Sequence, residues 1–214
     1  MAFRDVFLLA ILCLPLIYCK SVQKLTCKQI KQFVDGHNSR RFLLSQGKVP
    51  GQPAAAEMKY MVWDDELAAK AAKWAAENHN YHNPDNTVGS GRFRTGENLY
   101  WYSTTDRSFK LNVGSALDAW WDEHKDYRYG PLKASDFSSS VQIGHYTQMA
   151  WSDTTYVGCA VLQSYSEKWN KFFVVCNYGP GGNYIGRAPY KSGSPSGKLL
   201  CTTNNCNKPY GDIC

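Results

Sequence analysis

Apolar residues recur at helical spacing in three stretches of this chain and crowd at strand spacing in two others. Ile30, Phe33, Val34 and His37 fall three and four residues apart, which predicts a helix running to Ser45. The Gly- and Pro-bearing residues 47–53 break it. Asp64 then offers an N-cap, and the alanine-rich run 67–77 predicts a second helix that a neighbouring layer can approach closely. Residues 80–95 are polar and glycine-bearing, hence loop. Ala116, Trp120, Glu123 and Tyr127 share one face of a third predicted helix over 113–127. The β-branched and aromatic content of 156–163 and 171–177 predicts paired strands, with 164–170 as their polar connection. After Gly179-Pro-Gly-Gly182 the chain turns to Lys, Ser, Gly and Pro. From Tyr190 onward it is too poor in apolar residues to form a core of its own.

The N-terminus changes this picture. Arg4 precedes an apolar run over 6–17 that is too short to cross a bilayer, so residues 1–19 read as a secretory signal with cleavage within 19–21. No later run approaches the roughly 18 apolar residues of a membrane span, and an exported chain without one is expected. Eight cysteines are present, of which Cys13 and Cys19 would leave with the signal. Cys27, Cys159, Cys176, Cys201, Cys206 and Cys214 remain, an even set that predicts three disulfides in an oxidising compartment. Cys159 and Cys176 flank the predicted hairpin and are expected partners. The other four admit three pairings. One of these ties Cys27 to the tail and closes the tail on itself. Cys201 and Cys206 have no second close pair or ligand histidine beside them, which argues against a zinc knuckle.

At 214 residues the chain suits one large domain with short appendages, and its formal charge of +6 is spread along it. No basic stripe interleaved with aromatics is present, so a nucleic-acid partner is not expected. No Asn-x-Ser/Thr occurs, which predicts an unglycosylated mature chain.

Four ordered motifs carry further information: His37-Asn-Ser-Arg40, Gly96-Glu-Asn-Leu99, Gly144-His-Tyr-Thr-Gln-Met-Ala-Trp-Ser-Asp-Thr154 and Phe173-Val-Val-Cys-Asn-Tyr-Gly-Pro-Gly-Gly-Asn-Tyr184. Together they resemble the signature segments of the CAP superfamily, which includes cysteine-rich secretory proteins, insect venom antigen 5 and plant pathogenesis-related proteins of class 1. The resemblance is strongest to the antigen 5 type. It implies an α+β fold, a three-layer α-β-α sandwich with a small antiparallel sheet, over residues 22–190. Residues 191–214 would follow as a cysteine-pinned tail. It also supports the Cys159–Cys176 pair. Unlike many antigen 5 relatives, this chain has Asn78 and Asp85 where extra cysteines would stand, so loop 78–95 is expected to be less rigidly held.

The resemblance maps a cleft tetrad onto His82, Glu97, Glu123 and His145, with His79 as a near alternative to His82. Two imidazoles and two carboxylates suit a zinc-like ion, with His82 and His145 as its expected ligands. The same groups could exchange protons near neutrality, or simply clamp loop to helix. No cofactor is required on any of these readings. His-Glu-x-x-His and Gly-x-Ser-x-Gly are both absent, and nothing marks Thr147 or Ser152 as an activated nucleophile beside His145. The expectation is therefore a secreted, monomeric binding protein rather than an enzyme. Its partner would be a small hydrophobic ligand (sterol, fatty acid or eicosanoid) or an extracellular host protein. Val113, Ala116, Leu117 and Trp120 would line the ligand wall, though any amphipathic helix offers such a face to the core. Tyr146, Gln148 and Asn177 read as buried polar braces. The alternatives are a weak metal-dependent hydrolase and an ion-channel or integrin antagonist. Tyr210-Gly-Asp212 supports the last poorly, because tyrosine stands where the receptor's cation partner belongs.

Overall fold

The computed structural model describes residues 20–212 and 214; the expected signal segment, with Cys13 and Cys19, lies outside the described residues. The first helix, α1, spans Cys27–Ser45. Thr26 starts it with a capping box: its hydroxyl accepts from Gln29 N at 3.3 Å, while the Gln29 amide oxygen accepts from Thr26 N at 2.9 Å. The second, α2, spans Asp65–Glu77 and is capped by Asp64, whose carboxylate accepts from Leu67 N at 2.9 Å. It stops at Asn78, which takes the left-handed conformation with φ of 60°.

Five strands form one sheet: β1 (Lys20–Val22), β2 (Val62–Trp63), β3 (Gly96–Thr104), β4 (Tyr156–Tyr165) and β5 (Asn170–Gly179). The order is β1-β4-β5-β3 with antiparallel neighbours, and the short β2 joins β4 in parallel. Helix α2 covers one face, where Ala71, Trp74 and Ala75 meet Leu99, Ala160, Leu162, Phe173 and Val175. The expected close approach of its alanines is realised at Gly158: a Cβ there would stand 2.2 Å from Ala68 N, so the helix rests on the β4 backbone. The opposite face carries α1, α3 (Gly114–Asp122) and α4 (Gly144–Met149) over a larger core containing Phe33, Val34, Leu117, Tyr146, Val161, Val174 and Tyr178. The three-layer α-β-α sandwich follows from these two apolar interfaces.

Several boundaries differ from the sequence reading. The third helix is α-helical only to Asp122 and tightens into a 3-10 turn over Glu123–Lys125, so Glu123 leaves from the tightened end rather than a continuous helix face. The strands reach further into their hairpin, leaving 166–169 as the connection. β3 and α4 carry two of the motifs but were not predicted as elements.

All three disulfides among the described residues match one of the expected arrangements. Cys159 and Cys176 stand opposite in register with Cα atoms 4.1 Å apart; Cys27 pairs with Cys214 and Cys201 with Cys206. The tail borrows the body's core. Trp63 N donates to Pro209 O at 2.7 Å, Leu199 and Tyr210 pack against the main cluster, and Tyr210 Oη donates to Asp35 Oδ1 at 3.0 Å. Among the described residues no helix is long and apolar enough to cross a membrane.

Candidate functional site

The four mapped residues arrive from four places and resolve into two pairs. His82 lies in the loop after α2, and its Nδ1 sits 2.8 Å from Glu97 Oε1 on β3. Glu97 is fixed from behind: Asn83 N donates to the same oxygen at 3.0 Å and Asn177 Nδ2 to the other at 3.3 Å. His145 lies in the first turn of α4, and its Nδ1 sits 2.6 Å from Glu123 Oε1. Glu123 Oε2 also accepts from His145 N at 2.9 Å and Tyr146 N at 3.0 Å. That carboxylate thereby satisfies two N–H groups that the first turn of a helix leaves without partners.

An ionised carboxylate can only accept, so each imidazole carries its proton on Nδ1. Among the described residues neither Nε2 has a hydrogen-bond partner. The pairs differ in burial: the His82 side chain is 61% exposed and Glu97 only 9%, against 19% for His145 and 13% for Glu123. His145 stacks on Trp120 with ring centroids 6.0 Å apart and planes 19° apart.

His82, Glu123 and His145 line one cleft of about 510 Å³, whose aromatic walls are Tyr81, Tyr100, Trp101 and Trp120. Glu97 stays behind His82. His79 is not part of the cleft; its ring packs between Trp74 and Tyr81. Of the four expected ligand-wall residues only Trp120 reaches the cleft. Val113, Ala116 and Leu117 are buried in the core, where the wide apolar face of α3 meets α1. Among the described residues no group of three or more His, Cys, Asp or Glu is arranged around a common point for a metal ion.

Loop 78–95 lacks cysteines yet is tied down by charge. Arg92 Nη2 bonds Asp64 Oδ2 at 2.8 Å and Glu66 Oε2 at 2.7 Å, and Lys70 Nζ donates to Asp85 O at 2.6 Å. The hydrogen bonds from Ser90 and Arg92 hold the Glu66 carboxyl down to about 2, and those from Thr87 and Lys70 do the same for Asp85.

A buried relay supports His145 from the far side. His37 Nδ1 donates to Phe33 O at 2.7 Å, so Nε2 accepts from Tyr178 Oη at 2.9 Å. Tyr178 Oη in turn accepts from Asn98 Nδ2, which also donates to His145 O, both at 3.1 Å. Burial pushes the His37 imidazole down to about 3 and the Tyr178 phenol up, so both stay neutral. His37 was legible as a helix residue and motif member; its partner on the sheet was not.

Arg41 is the residue the sequence reading missed most completely. Fully buried, it donates to the carbonyls of Lys59, Met149, Trp151, Ser152 and Thr154 and so nails the segment after α4 to α1. Its polar character gave no inward signal. Gln148 and Asn177 make bracing bonds as expected, whereas the buried Tyr146 hydroxyl has no hydrogen-bond partner among the described residues. Gln148 Oε1 accepts from Gly182 N at 2.8 Å, and a Cβ on Gly96 would fall 1.9 Å from that oxygen, which requires glycine there. The Thr147 hydroxyl is committed to Ile143 O and Asn183 Oδ1 rather than to His145.

The architecture agrees with sequence comparison. Residues 34–178 match the family model described as CAP, the cysteine-rich secretory protein family. The chain is 36% identical over 171 residues to venom allergen 5 of Rhynchium brunneum, covering 78% of this chain and 74% of that one. It is 35% identical over 195 residues to scoloptoxin SSD976 of Scolopendra dehaani, covering 90% and 87%. A crystal structure of NaASP2 with Zn2+ superposes with a TM-score of 0.64 at 30% identity, covering 80% of this chain and 89% of that one. The chain belongs to the CAP family of cysteine-rich secretory proteins and is of the venom allergen 5 type.

Proposed function

We propose that this protein is exported and acts outside the cell by binding rather than by turnover. Its cleft takes a small ligand with an apolar body and a polar end, alongside a divalent ion such as zinc held by His82 and His145. One observation carries this reading: two imidazoles in one aromatic-walled cleft are each oriented through Nδ1 by a carboxylate, at 2.8 and 2.6 Å. This is the outer-shell arrangement that fixes metal-binding histidines and leaves Nε2 as the ligand atom. Glu97 and Glu123 are orienting groups here. With only two protein nitrogens, the ion completes its shell from water or the ligand, which makes a weak site. The related NaASP2, solved with Zn2+, supports the choice of ion.

Several observations favour binding over catalysis. Among the described residues the cleft lining contains no Ser, Thr or Cys, and the Thr147 hydroxyl is engaged elsewhere. Tyr81, Tyr100, Trp101 and Trp120 suit the flat apolar body of a sterol or fatty-acid derivative. Paired cysteines and the venom allergen relatives support an extracellular setting.

Calorimetric titration of metal-stripped protein with zinc tests the ion site. Saturable uptake of one ion, lost in the His82→Ala/His145→Ala double variant, is expected; equal uptake by that variant removes the ion from the cleft. Native mass spectrometry of protein from its source should show a co-purifying small apolar species. Peptide hydrolysis by ultrapure protein that vanishes in Glu123→Ala would overturn the binding reading.

A further inference from the structure

The cleft runs along an open sheet edge. β3 is the last strand of the order β1-β4-β5-β3, and among the described residues nothing pairs with its far side. Which backbone groups face outward follows from printed bonds. Gly179 O accepts from Thr155 N, so the odd-numbered residues of β5 point towards β4 and its even-numbered residues towards β3. The register Gly96↔Tyr178 to Thr104↔Asn170 is unbroken, so the even-numbered residues of β3 close that ladder. The N–H and C=O groups of Leu99, Trp101 and Ser103 therefore point away from the sheet. The Trp120 indole confirms the direction by donating to Leu99 O at 3.0 Å from the open side. Leu99 N–H and both backbone groups of Trp101 and Ser103 have no partner among the described residues.

Protein sheets protect such edges with lysine, proline, bulges or covering loops. The run Leu99-Tyr-Trp-Tyr-Ser-Thr104 has no charge, no proline and no bulge, and Trp101 and Ser103 are exposed. Trp101 lies flat on Phe173, centroids 5.0 Å apart and planes 9° apart, which makes a rigid aromatic ledge beside the edge. Tyr81 and the cleft of about 510 Å³ lie alongside.

We infer that the β3 edge is a docking site for an extended peptide segment of a partner protein, which adds to the sheet as a further strand beyond Trp101 and Ser103. The ladder groups supply main-chain hydrogen bonds, and Trp101 with Tyr81 receives an apolar or aromatic side chain of the incoming strand. The formal charge of +6 disfavours a second copy of this chain, and the exposed Lys171, in register beside Ser103 on β5, favours an acidic segment there. No step depends on a metal in the cleft, so this inference and the ion site stand or fall separately.

The probe is a randomised dodecapeptide library enriched in Asp and Glu, selected against the intact protein. The most enriched peptide is then synthesised with single N-methyl groups at each position in turn. Expected are losses of about tenfold in affinity at alternate positions only, since a strand presents every second N–H to its neighbour. Hydrogen exchange at the Trp101 and Ser103 amides should slow in the complex. Ser103→Pro should weaken binding by about tenfold while leaving the fold intact, because proline is tolerated where an edge N–H faces outward. The N-methyl scan needs only the unaltered chain and remains decisive if that variant does not fold. Failure to enrich any peptide, N-methyl losses without period two, or unchanged amide exchange would overturn the proposal. Self-association of the protein that Ser103→Pro abolishes would also overturn it, by assigning the edge to a second copy.

Discussion

His37 on α1 and Tyr178 on β5 meet in the core, with Nε2 and Oη 2.9 Å apart, and this bond joins the helix layer to the sheet directly beneath the cleft. The geometry requires a neutral imidazole, since Nδ1 donates to a carbonyl and Nε2 must accept.

Acid should therefore act through His37. Its folded pKa of about 3 lies below the ordinary value near 6.5, so between those limits the unfolded chain binds a proton that the folded chain excludes. The stabilisation is complete above about pH 6.5 and is lost as pH falls towards 3, with a full size of order a few kcal/mol. Urea midpoints from pH 7 to 4 should decline less steeply for His37→Gln than for the unaltered chain. Parallel declines would show that this imidazole does not titrate as described.

Glu123 should matter for structure as much as for chemistry. Glu123→Ala removes the acceptor for the His145 ring and for two backbone N–H groups at the start of α4. Unpartnered buried donors cost roughly 1–3 kcal/mol each, so with three donors left unpaired a loss of about 3 kcal/mol or more is expected in denaturant melts. Glu97→Ala should cost less, because the His82 it holds is largely exposed.

Arg41→Lys should be among the most destabilising single changes. Lysine has three donors on one atom and cannot serve five carbonyls from separate segments. The loss should reach at least about 3 kcal/mol, read as a fall in the thermal midpoint by circular dichroism.

The disulfides should be unequal. Cys27–Cys214 closes a separation of 187 residues and Cys201–Cys206 one of 5. Chain entropy assigns about 5 kcal/mol to the first and about 2 kcal/mol to the second. Double serine variants compared by guanidinium unfolding check that order; equal losses would show that the tail's contacts rather than its tether set the stability.

Local signals made the framework readable. Asp64 and the alanines after it predicted a helix because capping and side-chain size act within a few residues, and Cys159 and Cys176 were paired by the hairpin between them. β3 is not legible by period, because Leu99, Tyr100, Trp101 and Tyr102 are all apolar or aromatic although they alternate faces. At six residues α4 is too short to display a helical repeat.

The sequence by itself determined the principal helices, the long hairpin and the cysteine inventory, since periodicity, capping and cysteine count are properties of neighbours along the chain; the layers and the cleft residues followed from the resemblance of its motifs to the CAP family. Only the tertiary structure decided which carboxylate holds which imidazole, that three of four supposed wall residues belong to the core, and that the cleft borders an unpaired strand edge. The two pairs bridge 15 and 22 positions, and the His37–Tyr178 contact of the relay beneath them bridges 141, separations that no local pattern encodes.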